Sequence, residues 1–292
     1  MTRAGFVALA GRPNVGKSTL VNRVVGEKVA ITSDRAQTTR RAIRGVAQEG
    51  DSQLVLVDLP GFQRPRDRLT ERMQARVEHE LSDSDAALMV VNGEEGIGPG
   101  DRYIASVLRG SGLPVVLAVN KCDRLDQGRT LAALADAAAL ECAGEIFPAS
   151  ARTGEGVPEL AGCLAALMPE GPWLFPPGAI SDQPTATLVA ELVREQAIRR
   201  TFEEVPHSVE VAVEEMEPSD GVLRVRALIW VETESQKGIL VGRGGRMVKA
   251  IGTSARREIE ELLGEKIHLD LSVRVRGGWR ADDGLLDRLG IE

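Results

Sequence analysis

The sequence predicts two domains: an α/β domain with a doubly wound, mostly parallel sheet, followed by a smaller α+β domain. From residue 5 to 168, short apolar segments alternate with helical patterns, which is typical of a parallel sheet covered by helices on both faces. Residues 169–184 then interrupt both periodicities, because they are rich in proline and glycine. We therefore expect domains at 1–168 and 185–292, joined by a linker at 169–184.

Periodicity also predicts the individual elements. Strands 42–49 and 53–58 should form an antiparallel hairpin, because a short polar turn separates them. In the first domain the predicted strands are 5–10, 42–49, 53–58, 85–92, 114–120 and 145–149, and the predicted helices are 16–26, 68–82, 100–110, 128–141 and 155–168. The second domain is predicted to contain helix 185–204, strands 207–216 and 221–233, helices 235–241 and 246–263, strand 266–275 and a short tail.

Composition narrows the class of protein. The 292 residues are 43% hydrophobic and 27% charged, as in soluble globular proteins. A net charge of −7 gives no overall attraction to nucleic acid or anionic lipid, so such a partner needs a local basic patch. The three cysteines form no C-x-x-C pair, which argues against a disulfide framework and a zinc site. With no membrane-length apolar run and no signal peptide, we expect a cytoplasmic protein.

Residues 11–18 match the phosphate-binding pattern G-x-x-x-x-G-K-[ST]. An apolar segment precedes the motif and a helical pattern follows it, so the helix N-terminus would aim backbone N–H groups at a phosphate. Lys17 would reach the β- and γ-phosphates and Ser18 would ligate Mg²⁺; the alternative is an ordinary glycine-rich turn. The predicted phosphate-binding residues are Gly11, Arg12, Pro13, Asn14, Val15, Gly16, Lys17, Ser18 and Thr19.

The sequence Asn-Lys-Cys-Asp at 120–123 predicts the base. The Asp123 carboxylate can accept hydrogen bonds from guanine N1–H and the 2-amino group, which adenine lacks. Asn120 would steady the neighbouring loops, Lys121 would lie over the purine, and the backbone after the strand at 145–149 would bond guanine O6. Four short motifs in order, each at a strand end, predict a site for GTP and GDP. Its guanine-binding residues would be Asn120, Lys121, Asp123, Ser150 and Ala151.

Two further segments are predicted to sense the γ-phosphate. Asp58 could bind Mg²⁺ through water, and Gly61 could offer its N–H to the γ-phosphate. Between them and the phosphate loop lies a polar stretch that could order around the nucleotide; in it Thr39 is the first choice as a Mg²⁺ ligand, with Thr38 as the alternative. The first switch comprises Gln37, Thr38, Thr39, Arg40 and Arg41, and the second comprises Asp58, Leu59, Pro60 and Gly61.

Hydrolysis should be slow. Phe62 follows Gly61, where many GTPases place a glutamine that orients the attacking water, and a phenyl ring has no polar atom for this task. A separate hypothesis assigns to the Asn14 amide oxygen a monovalent cation, K⁺, that would supply charge near the phosphates. Equal turnover in potassium and sodium would contradict it.

A second site is predicted at a G-x-x-G loop between two helical patterns. Such a loop lets the backbone approach a sugar-phosphate chain, as in KH domains. From 237 to 257 there are six basic and no acidic residues, so single-stranded RNA is the expected ligand; the alternative is a helix-turn-helix with a solvated basic face. The predicted RNA-binding residues are Gly242, Arg243, Gly244, Gly245, Arg246 and Lys249.

The whole chain resembles the Era family of bacterial GTPases, which join a G domain to a type 2 KH domain. The resemblance rests on GRPNVGKST at 11–19, QTTR at 37–40, NKCD at 120–123, EIFPASA at 145–151 and GRGG at 242–245. It implies binding of the 3′ end of 16S rRNA, a role in 30S subunit maturation, and peripheral association with the inner membrane; we also expect a monomer. Family members usually have threonine where this chain has Leu59, and a more lysine-rich helix after the G-x-x-G loop.

Two alternatives remain open at this stage. The protein could bind RNA constitutively while its nucleotide domain is a relic, although Lys17, Ser18, Asp58 and Asp123 are all present. It could instead be a membrane-linked signalling GTPase whose G-x-x-G element contacts a protein.

Overall fold

The computed structural model describes residues 1–33, 38–62, 67–219 and 221–291. The chain divides into two compact units. The first contains Met1–Ala30 and Thr39–Asp182, and the second contains Ile31–Thr38 and Gln183–Ile291. Thr38 of the predicted first switch thus belongs to the second unit. In the described residues no helix is long and apolar enough to cross a membrane.

The first unit is a six-stranded sheet flanked by helices. Its sheet has the order β2-β3-β1-β4-β5-β6, and every pairing is parallel except that of β2 with β3, which confirms the predicted hairpin. The strands are β1 (Arg3–Ala10), β2 (Ile43–Glu49), β3 (Ser52–Asp58), β4 (Ala86–Asn92), β5 (Val115–Asn120) and β6 (Glu145–Pro148). The helices are α1 (Lys17–Val25), α2 (Arg68–Ser82), α3 (Pro99–Ser111), α4 (Gln127–Ala138) and α5 (Val157–Leu167).

Burial on both faces explains why these strands are almost continuously apolar. In β1, Val7 and Leu9 pack into the core on one face, and Ala8 and Ala10 pack into the core on the other. A parallel sheet covered by helices on both sides requires this pattern. Because the strands run in parallel, the residues that follow β1, β3 and β5 all lie at the carboxyl edge of the sheet, where ligands bind in open α/β folds.

The proline-rich segment after α5 is held against the first unit. The Gln53 amide oxygen accepts hydrogen bonds from the N–H groups of Leu174 and Phe175, each at 2.9 Å, and its nitrogen donates to the Phe175 carbonyl. Further along, the Val46 N–H donates to the Ile180 carbonyl at 2.8 Å. Most of the predicted linker therefore lies along β2 and β3, and the division between the units falls after Asp182.

The second unit packs helices on a three-stranded sheet. Its order is β7-β8-β9, with β7 and β8 antiparallel and β8 and β9 parallel. Ile251, Ala255 and Ile259 recur at helical spacing on one helix and are fully buried against the sheet. The strands are β7 (Glu210–Ser219), β8 (Val222–Val231) and β9 (Ile267–Val275), and the helices are α6 (Thr185–Arg199), α7 (Val205–Ser208), α8 (Glu234–Val241), α9 (Arg246–Leu263) and α10 (Asp283–Arg288).

Two predicted boundaries in this unit are wrong. The helix predicted at 185–204 ends at Arg199, and the strand predicted from 207 begins at Glu210, because a separate helical turn with Pro206 near its start occupies the intervening chain. The C-terminal tail also contains a helix, α10, which begins where the Asp282 side chain accepts the Leu285 N–H. Leu285 and Leu286 are buried, so tertiary packing stabilises a helix too short to be recognised by its periodicity.

Candidate functional site

The phosphate loop joins β1 to α1 in a conformation that requires glycine at two points. A Cβ at Gly11 would lie 2.5 Å from the Val90 carbonyl oxygen. Gly16 has φ of 100°, and its Cβ would lie 2.3 Å from Nδ2 of Asn120. Because both positions leave no room for a side chain, the loop backbone packs directly on β4 and on the end of β5. The loop leads directly into the N-terminus of α1, the geometry that favours bound phosphate.

Lys17 is curled over the phosphate loop. Its Nζ donates to the carbonyls of Gly11 at 3.0 Å and Arg12 at 3.2 Å. Burial lowers the pKa of Lys17 to about 8, although the nearby Asp58 carboxylate opposes this shift. A buried ammonium at the mouth of the loop is the expected partner of a nucleotide phosphate.

Three oxygen-bearing side chains meet beside the loop. The Ser18 hydroxyl donates to Oδ2 of Asp58 at 2.5 Å, and the Thr39 hydroxyl donates to the same oxygen at 3.2 Å. The two hydroxyl oxygens are 3.1 Å apart. Burial raises the pKa of Asp58, against the effects of Lys17, Ser18 and Thr39. The structure therefore places Thr39 at this cluster, whereas the Thr38 carbonyl accepts a hydrogen bond from Arg194 in the second unit.

This cluster fits a hard divalent cation. Hydroxyl and carboxylate oxygens are the donors that Mg²⁺ prefers. Within the part of the chain that the structure describes, Oδ1 of Asp58 has no hydrogen-bond partner, and the residue is inaccessible to solvent. A buried carboxylate oxygen without a partner is costly unless a cation or an ordered water satisfies it.

The predicted second switch lies against the phosphate loop. A Cβ on Gly61 would lie 2.8 Å from the backbone nitrogen of Pro13, and the Phe62 N–H donates to the Gly11 carbonyl at 3.4 Å. Leu59 and Pro60 are buried beside them. The Phe62 ring is only 6% exposed and packs in the hydrophobic core. It therefore supplies packing to the first unit, in keeping with its lack of a polar atom.

The remaining residues of the predicted first switch have different environments. Arg40 is buried, with 2% of its surface exposed, and Arg41 is partly buried. Gln37 lies outside the residues that the structure describes. Asn14, the candidate cation ligand, is exposed and has φ of 65°, an uncommon left-handed conformation for a residue with a side chain.

Asn120 connects three loops of the predicted guanine site. Its Nδ2 donates to the Val15 carbonyl at 2.8 Å, and its Oδ1 accepts the Ala151 N–H at 2.9 Å. The phosphate loop and the loop after β6 are thus fixed to the end of β5, as its sequence context predicts. Lys121 follows in a left-handed conformation, with φ of 67°.

Asp123 is held at the edge of this site by two side chains. The Ser150 hydroxyl donates to its Oδ1 at 2.7 Å, and Nη2 of Arg152 donates to its Oδ2. These contacts, chiefly the Ser150 hydrogen bond, lower the pKa of Asp123, while partial burial acts in the opposite direction. Sequence reasoning missed the role of Arg152, because its pairing with a residue 29 positions away depends on the tertiary fold.

The contacts of two more arginines could not be predicted for the same reason. Nε of Arg12 in the phosphate loop pairs at 2.8 Å with Oδ2 of Asp101, at the start of α3. Arg23 in α1 donates to the carbonyls of Ala151 at 3.1 Å and Arg152 at 2.5 Å. Arg12 thus attaches the phosphate loop to α3, and Arg23 attaches the loop after β6 to α1.

In the second unit, the G-x-x-G loop links α8 to α9. Gly242, Gly244 and Gly245 all have positive φ, and a Cβ at Gly242 would lie 2.7 Å from Cβ of Met247. The loop therefore turns tightly at the N-terminus of α9, where backbone N–H groups favour an anion. Arg243, Arg246 and Lys249 are exposed here, on the side of the helix opposite the buried Ile251.

Together these features define a class of protein. A mostly parallel sheet carries a phosphate loop and a guanine-type loop at its carboxyl edge, and a three-stranded sheet with a G-x-x-G loop follows. The chain is a P-loop GTPase with a C-terminal KH domain. Family models agree: a model described as 50S ribosome-binding GTPase matches residues 6–121, and a KH domain model matches residues 204–280.

Comparison with individual proteins narrows this class to one family. GTPase Era of Mycobacterium tuberculosis (strain ATCC 25618 / H37Rv) is 45% identical over 295 residues, which cover 99% of this chain and 98% of the relative. GTPase Era of Lactobacillus helveticus (strain DPC 4571) is also 45% identical, over 99% and 96% of the two chains. The chain belongs to the Era family of GTPases.

Solved structures of Era show the same fold. Era in complex with MgGDPNP and nucleotides 1506–1542 of 16S ribosomal RNA matches with a TM-score of 0.96 and 35% identity, over 100% of this chain and 99% of that one. A variant of Aquifex aeolicus Era bound to GDP and AlF₄⁻ matches equally well, with a TM-score of 0.96 and 35% identity over 99% of each chain.

Proposed function

We propose that this protein is a GTP-hydrolysing switch that binds the 3′ end of 16S rRNA and assists maturation of the 30S ribosomal subunit. The observation that carries the proposal is the presence, in one chain, of a guanine-reading carboxylate, a phosphate loop and a G-x-x-G loop with exposed cations. The Era complex with MgGDPNP and 16S rRNA supports this choice of ligands.

In this proposal GTP binds along the carboxyl edge of the first sheet. Lys17 neutralises the β- and γ-phosphates, and the backbone of the phosphate loop donates to them. Asp123 accepts N1–H and the 2-amino group of guanine, and Asn120 holds the surrounding loops together. Adenine cannot supply these donors, so its binding would leave a buried carboxylate unsatisfied.

Ser18, Thr39 and Asp58 would hold Mg²⁺, the last through water. When bound, the cation neutralises the charge that develops on the transferred phosphoryl group. Gly61 lies against the phosphate loop and directs its N–H toward the γ-phosphate, so both switches respond to the third phosphate. Because the Phe62 ring packs in the core, it orients no water, and intrinsic hydrolysis is slow. K⁺ at Asn14 is the proposed accelerator, tested by comparing kcat in potassium and sodium.

The second unit would bind single-stranded RNA. The G-x-x-G backbone approaches the sugar-phosphate chain, while Arg243, Arg246 and Lys249 contact phosphates. These contacts are electrostatic, so affinity should fall steeply as salt increases. Peripheral membrane association, a cytoplasmic location and a monomeric state stay predictions from the resemblance and the composition.

The proposal is tested by RNA binding in defined nucleotide states. We would measure the anisotropy of labelled RNA spanning 16S nucleotides 1506–1542 with the full chain, in GDPNP and then in GDP, across a salt series. Tighter binding with GDPNP is expected. The double variant Arg243→Ala/Lys249→Ala should bind at least tenfold more weakly, and its salt slope should fall by about 1.4. Arg226→Ala, which removes an exposed cation paired with Glu215 on the sheet, is the matched control.

Each alternative has its own outcome in this experiment. RNA binding that is indifferent to nucleotide would favour a constitutive RNA-binding factor with a relic nucleotide domain. Binding that is insensitive to the Arg243 and Lys249 substitutions would favour a signalling GTPase whose G-x-x-G element contacts a protein.

A further inference from the structure

The carboxylate that should read guanine already binds a guanidinium from its own chain. Oδ2 of Asp123 accepts a hydrogen bond from Nη2 of Arg152, while Oδ1 accepts the Ser150 hydroxyl at 2.7 Å. The Asp123 side chain is 8% exposed, whereas that of Arg152 is 69% exposed. Asp123 is therefore fixed in the site, whereas the Arg152 side chain reaches Asp123 from the solvent side.

Guanine and arginine present related groups to this carboxylate. The N1–H, C2 and 2-amino group of guanine form an N–C–N unit with two N–H donors, which is a guanidine fragment within the purine ring. The arginine side chain ends in the same fragment, carrying a full positive charge. A carboxylate placed to accept the first will also accept the second.

We propose that Arg152 is a specificity-determining residue that occupies Asp123 as a surrogate for guanine and is displaced when the base binds. This inference rests on the proposed guanine site. Binding is then an exchange of one guanidine group for another at the same carboxylate. The cost of breaking the Arg152–Asp123 pair is the same for every base that displaces Arg152, so it cancels from the preference between such bases. A base with a single donor leaves Oδ2 to Arg152 and avoids part of this cost, so the pair narrows the preference for guanine over that base.

The surrounding contacts allow this exchange without disrupting the loop. The backbone of the loop is held independently of the Arg152 side chain, because Arg23 donates to the carbonyls of Ala151 and Arg152. The Ala151 N–H is in turn fixed by Oδ1 of Asn120 at 2.9 Å. The Arg152 guanidinium can therefore move into solvent while Asp123, Ser150 and the loop backbone keep their positions.

The pair also keeps the site ready for guanine. The Ser150 hydroxyl and the Arg152 guanidinium both lower the pKa of Asp123. The carboxylate is thus ionised, and its oxygens stay oriented toward donors of the kind that guanine supplies. The cost is a weaker apparent affinity, since the base has to compete with a tethered cation. An ion pair with one exposed partner is weak, so the competition should change affinity threefold to tenfold.

The test compares GDP and IDP, whose base lacks the 2-amino group. We would measure equilibrium affinity and association rates of both for the full chain with Mg²⁺, for the wild type and Arg152→Ala. Arg152→Ala should bind GDP threefold to tenfold more tightly. The same substitution should increase the affinity for IDP by less. IDP has a single donor for Asp123, so in the wild type Oδ2 stays available to Arg152 while IDP is bound. The ratio of IDP to GDP dissociation constants should therefore rise in the variant, which a purely structural role would not produce.

Salt and a matched variant give further checks. Raising KCl from 0.05 to 0.5 M screens the ion pair, so the difference between wild type and Arg152→Ala should narrow. Arg129→Ala removes another exposed arginine, one paired with Asp126 beside the same site at 3.4 Å, and should leave both affinities unchanged within twofold.

Two results would overturn the proposal. Weaker GDP binding by Arg152→Ala would mean that Arg152 assists the bound base, and an IDP to GDP ratio unchanged within twofold would mean that the pair is only a surface contact.

A separate variant tests the guanine site itself. Asp123→Asn should shift preference from GDP to xanthosine diphosphate, whose 2-oxo group accepts the amide N–H; unaltered GDP binding in that variant would contradict the site, whatever Arg152 does.

Discussion

Nε of Arg12 lies 2.8 Å from Oδ2 of Asp101, and the Asp101 side chain is inaccessible to solvent. The same carboxylate oxygen accepts the Gly98 N–H at 2.8 Å and so begins α3. A residue of the phosphate loop is thus attached to the rigid start of a helix that contributes no group to the predicted nucleotide site. The phosphate loop takes part of its shape from this ion pair.

Asp101→Asn should weaken GDP binding by about tenfold, because it removes the charge of a buried carboxylate that pairs with Arg12, and part of the lost ion-pair energy falls on the phosphate loop. GDP titration by fluorescence is the measurement. Glu95→Gln is the control, since Glu95 contacts the same arginine at 3.4 Å but is 54% exposed. If the two substitutions changed GDP affinity equally, the Arg12–Asp101 pair would not be what shapes the phosphate loop.

Gly61→Ala should abolish most hydrolysis while leaving GDP affinity within a few-fold of the wild type. An added Cβ would lie 2.8 Å from the Pro13 nitrogen, so the second switch could not close on the phosphate loop. We expect kcat to fall at least tenfold in single-turnover assays. Gly110→Ala is the matched control, because Gly110 lies in α3 and its Cβ would meet open space. That control should instead gain about 0.5–1 kcal/mol of stability.

The Asp123 carboxylate should show a pH dependence that Ser150 controls. Its pKa is lower in the folded protein, chiefly because Ser150 donates to it, so its ionised form adds stability that is present above the unfolded pKa and is lost as the pH falls through the folded one. Ser150→Ala should raise the pKa of Asp123 and begin this loss at a higher pH. Carbon-13 NMR titration of the carboxyl group is the measurement. Ser106→Ala is the control, because the exposed Ser106 hydroxyl donates only to a backbone carbonyl within α3. An unchanged midpoint would contradict the prediction.

Arg194→Met should destabilise the second unit by about 3–5 kcal/mol. Arg194 is fully buried, and it pairs with Glu191 at 2.5 Å and lies 3.9 Å from Glu210, which is also buried. Methionine fills similar volume but removes the cation on which these carboxylates converge. Urea unfolding followed by circular dichroism gives the change.

The control for this variant is Arg226→Met, whose 2.6 Å ion pair with Glu215 is about half exposed. It should cost no more than about 1 kcal/mol. A loss of less than 1 kcal/mol in Arg194→Met would show that the buried network contributes little.

Local signals explain why much of the fold could be predicted from the sequence. Helix α2 begins and ends where it was expected, at 68 and 82, because the Asp67 carboxylate and the Thr70 side chain form a capping box. Helix α9 also has the predicted bounds, between Gly245 and Gly264 in left-handed conformations. The phosphate, guanine and G-x-x-G motifs are short and contiguous, so their elements could be recognised without the fold.

What could not be predicted depends on contacts between distant residues. Arg152 and Asp123 are 29 positions apart, and Arg12 and Asp101 pair across the first unit. Neither pair has a periodic or motif-like signature. The same reason explains why the positions of Ile31 and Thr32 could not be predicted. Ile31 joins the core of the second unit, and the Thr32 N–H donates to Glu195 at 2.9 Å, although sequence position assigns both residues to the first domain.

The hydrogen bonds between residues 180–181 and β2 also occupy part of an edge of the first sheet. Strand β2 is the last strand of its sheet, and such an edge offers unpaired N–H and C=O groups on which a strand of another molecule can align. Here the Val46 N–H is engaged by the Ile180 carbonyl, and the Gly45 position pairs with Ser181 in an isolated bridge. The chain that follows the proline-rich stretch thus occupies part of this edge, so fewer of its backbone groups are open to pairing with another molecule.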